Sequence, residues 1–321
     1  PGTVVVMAAD GDLGALLADA GSGDRAALAR LLTVVERGGE DARTLARLSH
    51  AAGGAAYTIG LTGAPGAGKS TLTGALVSVV RGEGHRAAVL AVDPSSPFTG
   101  GAILGDRVRM QDHTGDPDVY IRSMATRGHL GGLALATLDA IRVLDAAGWP
   151  WVLVETVGVG QVEVEVAGAA DTTVVVVNPG WGDAVQANKA GLLEIADVFV
   201  INKADRPGAD ETRRDLERML DMTGRAGWRP PVVATVASTG EGVDELWRQV
   251  GAHRAHLESS GELAERRRRR VATELVEISA VLLRERARAQ VAEQLEPVAA
   301  RVAERQLDPW TAAESLLDGS R

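Results

Sequence analysis

The chain has 321 residues, long for one small domain and short for three, which points to one large α/β core with helical additions. Hydrophobic residues make up 45% and aromatic ones only 3%, so a sizeable core is built mostly from Ala, Val and Leu. The balance of 34 Lys and Arg against 43 Asp and Glu, a net charge of −9, argues against a general nucleic-acid binder, and the absence of cysteine excludes disulfides, thiolate metal sites and Cys nucleophiles. No apolar run reaches the roughly 18 residues of a membrane span. Pro1 to Met7 lacks the basic stretch of a signal peptide, and the cytoplasm is the expected location.

Residues 11–50 read as short helices. Asp24 is a plausible N-cap for a helix over Arg25 to Arg37 with Leu28, Leu31, Leu32 and Val35 on one face, ended by Gly38-Gly39. Gly53-Gly54 marks a boundary, so residues 1–54 form an N-terminal helical extension. From Tyr57 the pattern changes to short apolar runs separated by helical stretches. Strands are predicted at 57–62, 87–92, 118–122, 151–155, 173–177, 197–201 and 231–235, with helices such as 69–82, 131–147 and 209–222 between them. This alternation predicts an α/β fold, a doubly wound, mostly parallel sheet with helices on both faces, over residues 55–254. Residues 255–321 read as a helical arm. One long helix is expected over 262–294, interrupted or ended by Pro297, and a last one begins at Asp308-Pro309 and ends near Gly319.

Gly63-Ala64-Pro65-Gly66-Ala67-Gly68-Lys69-Ser70, followed by Thr71, fits G-x-x-x-x-G-K-S between a predicted strand and a predicted helix. Glycines let the backbone curl so that several N–H groups point at phosphates, and the helix N-terminus adds favourable partial charge. Lys69 is expected at the β- and γ-phosphates of a nucleoside triphosphate, and the Ser70 hydroxyl on Mg²⁺. Downstream, Asn202-Lys203-Ala204-Asp205 follows strand 197–201 as an N-K-x-D element. Asp205 can accept both the ring N1–H and the exocyclic amine of guanine, a donor pair that adenine lacks. Lys203 can pack over the base, and Asn202 would brace the loop. Ala237 opens a loop after strand 231–235, where its N–H is expected to meet guanine O6; Val236 stands where a Ser is usual. Together these motifs specify a Mg²⁺-dependent GTPase converting GTP to GDP and phosphate.

Carboxylates complete the expected metal site. Asp93 ends strand 87–92, and Glu155 ends strand 151–155 and begins an E-x-x-G whose Gly158 N–H can meet the γ-phosphate. Asp106 lies on a Gly-rich loop and could join the metal shell when GTP binds. Three segments go beyond a generic GTPase: Asp93-Pro94-Ser95-Ser96-Pro97-Phe98-Thr99-Gly100-Gly101 with its continuation to Met110, Glu155 to Gln161, and Asn178 to Asp183 running on through Gln186 and Lys189. They resemble the MeaB/ArgK family, the GTPases associated with methylmalonyl-CoA mutase, from about residue 10 to the end and most densely from 60 to 245.

That resemblance implies metal roles for Asp93, Asp106 and Glu155. It also implies a G-protein chaperone that gates adenosylcobalamin loading onto methylmalonyl-CoA mutase and protects or reactivates the mutase. A related cobalamin-dependent acyl-CoA mutase is an alternative partner. An old label of part of the family, a kinase acting on transport-binding proteins, ranks low because no hydroxyl-activating H-R-D loop is present. A nickel-delivery GTPase ranks low for want of Cys and clustered His. No cobalamin site is evident in this chain. The resemblance places a lysine at Lys189 in a third switch loop, which the partner would order over 178–191 and bring to the nucleotide as a catalytic group. Gln161 is the candidate for a water-orienting Gln.

Other features read as bland. Arg266 to Arg270, with acids at Glu262, Glu265, Glu274 and Glu277, is expected to be a solvated helix face with i,i+4 pairs. His253 and His256 are expected to be exposed. Trp149, Trp151 and Trp247 are expected in the core or at its rim. The stripe Val271, Leu275, Ile278 and Leu282 reads first as intramolecular core, while the resemblance implies a homodimer through C-terminal helices.

Overall fold

The structure is a computed structural model that describes residues 10–93, 113, 115–125, 132–156, 168–180, 186–222 and 227–317. The chain separates into two compact units, one up to Arg270 and one from Val271 onward.

The first unit holds a seven-stranded sheet with all pairings parallel: β1 (Tyr57–Gly63), β2 (Ala87–Asp93), β3 (Val119–Ala125), β4 (Trp151–Thr156), β5 (Thr172–Val177), β6 (Val198–Asn202) and β7 (Val232–Thr235), in the order β3-β2-β4-β1-β5-β6-β7. All seven predicted strands are present, with ends shifted by no more than a few residues. Such a sheet needs cover on both faces, and alternate residues of one strand supply it. Val174 and Val176 of β5 pack with α4 (Lys69–Gly82), and Val175 and Val177 pack with α6 (Gln186–Ile195) and α7 (Ala209–Met222). Over β2 and β4 the second face is covered by α1 (Asp10–Gly21), α2 (Arg25–Arg37), α3 (Gly39–Ala52) and α5 (Gly132–Ala146). The N-terminal helices thus share one core with the sheet. Asp24 caps α2 as predicted, its Oδ1 accepting from the N–H groups of Ala26 and Ala27 at 2.8 and 3.1 Å, and Leu28, Leu31, Leu32 and Val35 are buried.

The chain leaves β1 for β2 on one side and later crosses to β5 on the other. The carboxyl ends of β1, β4 and β5 therefore lie where the strand order reverses, the position where such sheets bind ligands.

The opposite, N-terminal edge overturns two expectations. Arg266, Arg267 and Arg270 do not form a solvated face. Arg266 makes a two-pronged contact with Asp197 at 2.8 and 2.9 Å, Arg267 makes one with Asp171 at 2.7 and 3.1 Å, and Arg270 reaches Asp171 at 3.1 Å and the Ala170 carbonyl at 2.7 Å. Asp171 and Asp197 are buried at the starts of β5 and β6, where they also accept from the N–H groups of Thr58 and Thr173. Positions 266, 267 and 270 share one side of α9 (Glu262–Val291), whereas Arg268 and Arg269 face solvent and pair with Glu265 as predicted. Burial would push the Asp171 carboxyl up, but the Arg267 hydrogen bonds and the charges of Arg270 and Arg267 hold it below the usual range.

His253 is likewise not exposed. On α8 (Val243–Ser260) it continues the buried stripe Val243, Leu246, Trp247, Val250 and Leu257, and its own exposure is 0%. Its Nδ1 lies 2.8 Å from Thr172 Oγ1, which in turn lies 2.7 Å from the Tyr57 hydroxyl. His256 is half-buried. Trp149, Trp151 and Trp247 are buried, as expected.

In the second unit α9 runs on to Val291, ending before Pro297, which falls inside a separate helix, α10 (Leu295–Ala303). Asp308 caps α11 (Pro309–Leu317), accepting from the N–H groups of Trp310 and Thr311 at 3.0 Å. The stripe read as intramolecular core is open in the single chain: Val271, Leu275 and Ile278 are 44%, 58% and 37% exposed. Among the described residues no helix is long and apolar enough to cross a membrane.

Burial pushes the His253 imidazole down to about 4, with Asp197 and Glu262 opposing the shift and Arg266 and His256 adding to it. The unfolded chain then binds more protons at this residue between about pH 6.5 and about pH 4, so its contribution is full above that window and is lost as pH falls through it. Urea titrations at about pH 7 and about pH 4.5 are expected to differ by up to ~3 kcal/mol on account of this group. His253→Gln should flatten that slope; an equal slope in both proteins would show that His253 does not carry it.

Candidate nucleotide site

The site is built where β1 ends. Gly63 has φ +127°, and a Cβ there would lie 2.0 Å from the Val176 carbonyl oxygen of β5, so no other residue fits without moving the strand. The chain then turns, with the Ala67 N–H on the Ala64 carbonyl at 3.1 Å, and enters α4 through Gly68 in the left-handed region, φ +89°. A Cβ on Gly68 would stand 2.5 Å from the Asn202 side-chain nitrogen. Pro65, Gly66 and Thr71 are exposed, and Ala64 and Gly68 are half-buried. Lys69 is buried, and its Nζ donates to the carbonyls of Gly63 at 2.7 Å and Ala64 at 3.3 Å. The lysine is thus folded back over the loop it is expected to serve.

Ser70, on the first turn of α4, donates through Oγ to Glu155 Oε1 at 2.5 Å, and both residues are buried. A hydroxyl and a carboxylate in contact form a hard, all-oxygen donor pair, the chemistry Mg²⁺ takes. Asp93 closes β2 beyond the paired positions Ala91–Glu155 and Val92–Thr156, which sets it on the strand beside Glu155 and at the same edge. Asp106, Gly158 and Gln161 lie outside the described residues, and Lys189 lies on α6.

Base-side residues meet the phosphate loop through side chains. Asn202, the last residue of β6, is buried; its Nδ2 donates to the Ala67 carbonyl at 2.8 Å, and its Oδ1 accepts from Thr235 Oγ1 at 3.2 Å and from the Ala237 N–H at 3.1 Å. The brace expected of Asn202 therefore spans three loops, those after β1, β6 and β7. Lys203 has φ +59°, unusual for a side chain of its size, and its Nζ donates to the Gly66 carbonyl at 2.7 Å. Asp205 is exposed two residues on. The Ala237 N–H, expected at guanine O6, here donates to the Asn202 carboxamide oxygen, which also takes the Thr235 hydroxyl at the end of β7.

Two further residues join this cluster: Thr235, given no role from sequence, through Asn202, and Asn178, read from sequence only as the start of the 178–191 segment, whose Nδ2 lies 3.5 Å from the Gly66 carbonyl. Each sits at the carboxyl end of a strand beside the phosphate loop, and that position in the predicted strand pattern was the available signal.

The family described as Methylmalonyl Co-A mutase-associated GTPase MeaB matches residues 28–292. A Pyrococcus abyssi protein that bears a GTPase name is 52% identical over 300 residues, covering 92% of this chain and 93% of its own. The mouse mitochondrial protein named Methylmalonic aciduria type A homolog is 38% identical over 264 residues, covering 76% of this chain and 64% of its own. A crystal structure described as LAO/AO transport system kinase superposes with a TM-score of 0.71 at 27% identity, covering 98% of this chain and 99% of its own. With a phosphate loop, an N-K-x-D element braced against it and a match over most of its length, the chain belongs to the MeaB family of methylmalonyl-CoA mutase-associated GTPases and is itself a P-loop GTPase.

Proposed function

We propose that this GTPase binds GTP with Mg²⁺ at the carboxyl edge of its sheet and acts as a G-protein chaperone for methylmalonyl-CoA mutase, gating adenosylcobalamin loading and protecting or reactivating the enzyme. The observation that carries the nucleotide part is the Asn202 carboxamide, which joins the phosphate loop to the base-side loops at one edge. Support for the partner comes from the family description, which names the mutase, and from the mouse relative, whose name refers to methylmalonic aciduria.

On this reading the backbone of Gly63 to Thr71 cradles the phosphates, and Lys69 moves from the Gly63 carbonyl to the β- and γ-phosphate oxygens, one acceptor exchanged for another. Ser70 and Glu155, with Asp93 and Asp106, hold Mg²⁺, whose charge offsets the negative charge that develops on the γ-phosphoryl group. The Gly158 N–H meets the γ-phosphate. Asp205 reads the guanine edge and Lys203 packs on its face, so base selectivity rests on these two residues. Phosphoryl transfer to water needs positioning and charge more than covalent chemistry. Partner binding over 178–191 brings Lys189 to the transferred group, and hydrolysis without the partner is slow. The cobalamin is held by the mutase. Two copies of the chain associate through the open Val271, Leu275 and Ile278 stripe.

GTP turnover with Mg²⁺ is expected to be slow alone and to rise well above that level when methylmalonyl-CoA mutase is added, with ATP as the control nucleotide left almost untouched. Lys189→Ala should lower the stimulated rate. An unchanged rate and no complex on gel filtration would remove the mutase from the proposal and leave the GTPase standing. Asp205→Ala is expected to weaken GDP binding by on the order of 100-fold, since the guanine donors lose a charged acceptor. Isothermal titration with GDP and ADP reads this directly, and equal losses for both nucleotides would argue against base reading by Asp205.

A further inference from the structure

The Asn178-Pro179-Gly180 turn leaves β5, the strand whose Val176 carbonyl abuts Gly63 at the root of the phosphate loop. It is fixed on the base side as well. The Gly180 N–H donates to the buried Thr212 Oγ1 on α7 at 3.1 Å, and a side chain at Gly208 would meet Gly180 and Pro179 at 3.7 and 3.8 Å. Asn178 is thereby held between the phosphate loop and the segment that follows the N-K-x-D element.

Its carboxamide converges with the Lys203 ammonium on one atom. The Gly66 carbonyl oxygen lies 2.7 Å from Lys203 Nζ and 3.5 Å from Asn178 Nδ2. Because that oxygen is an acceptor, the amide nitrogen must face it, which turns Asn178 Oδ1 away. That oxygen is buried and has no hydrogen-bond partner among the described residues. A buried amide oxygen left unpaired is unfavourable, so this orientation of Asn178 is one that its surroundings impose. Lys203 in turn holds a left-handed backbone conformation, φ +59°, of the kind that persists only where its surroundings fix it.

We propose that Asn178 is a positioning residue of the nucleotide site, holding the Gly66 carbonyl and Lys203 together and thereby slowing release of the guanine nucleotide. The inference rests on the nucleotide reading above. Asn178 approaches the Gly66 carbonyl beside Lys203, whereas the Ser70–Glu155 pair is carried by α4 and β4, so its effect falls on release of the bound base.

The test uses the full chain loaded with a fluorescent GDP and chased with unlabelled GDP. Asn178→Ala, and Asn178→Leu, which keeps the volume, are each expected to release the label about tenfold faster, the equivalent of one lost hydrogen bond. Because Asn178 acts through Lys203, the double variant Asn178→Ala/Lys203→Ala should release no faster than Lys203→Ala alone. A residue that merely stabilised the fold would instead multiply the two effects. Release within about twofold of the parent in both Asn178 variants, or multiplying effects in the double variant, would overturn the inference. A parent chain that fails to retain the fluorescent GDP would overturn the nucleotide reading along with it.

Discussion

One buried carboxamide, that of Asn202, ties the phosphate loop to the ends of β6 and β7, and the geometry of the site follows from where its nitrogen and oxygen find partners. Its nitrogen is spent on the Ala67 carbonyl and its oxygen on Thr235 and Ala237. A buried amide with its nitrogen donating on one side and its oxygen doubly accepting on the other has one favourable orientation. The loops it joins leave three different strands, so their mutual placement is set by the sheet and then locked by this side chain. Gly68 is part of the same constraint, because a Cβ there would collide with the Asn202 nitrogen. The glycine at the helix entrance is required by the asparagine as much as by any phosphate.

Much of this could be read from the sequence because it is local. Apolar runs bounded by glycine and polar residues mark all seven strands, and a glycine-rich turn between strand and helix marks the phosphate loop. What could not be read is tertiary. The arginine run carries acids at Glu262 and Glu265 that satisfy a helix-face pattern, but Arg267 and Arg266 bond carboxylates 96 and 69 residues earlier in the chain. His253 fits the apolar stripe of α8 by spacing, yet its polarity suggested exposure; a hydroxyl on β5, Thr172, makes the buried position tolerable. The contact of the Ala237 amide with the Asn202 oxygen was hidden for a similar reason, since nothing local says that the two meet.

Strands β5 and β6 each have two chemically distinct ends. Their carboxyl ends carry Asn178 and Asn202 beside the phosphate loop; their amino ends carry Asp171 and Asp197 beneath the first turns of α9. Removing Asp171 would leave Arg267 and Arg270, and removing Asp197 would leave Arg266, without their buried carboxylates, a loss smaller than the roughly 3–5 kcal/mol of a fully buried pair because the partly exposed guanidiniums keep part of their hydration.

The two halves of the arginine run should therefore respond differently to ionic strength. Arg268 and Arg269 pair with Glu265 at the surface, where the Debye length of roughly 8 Å in physiological salt lets mobile ions compete. Asp171 and Asp197 are almost wholly shielded from solvent, so dissolved ions have little access to the bonds they make with Arg266, Arg267 and Arg270. Rising salt would erode the outer pairs while leaving the root of α9 fastened to the sheet, and five consecutive identical residues would behave as two separate electrostatic populations.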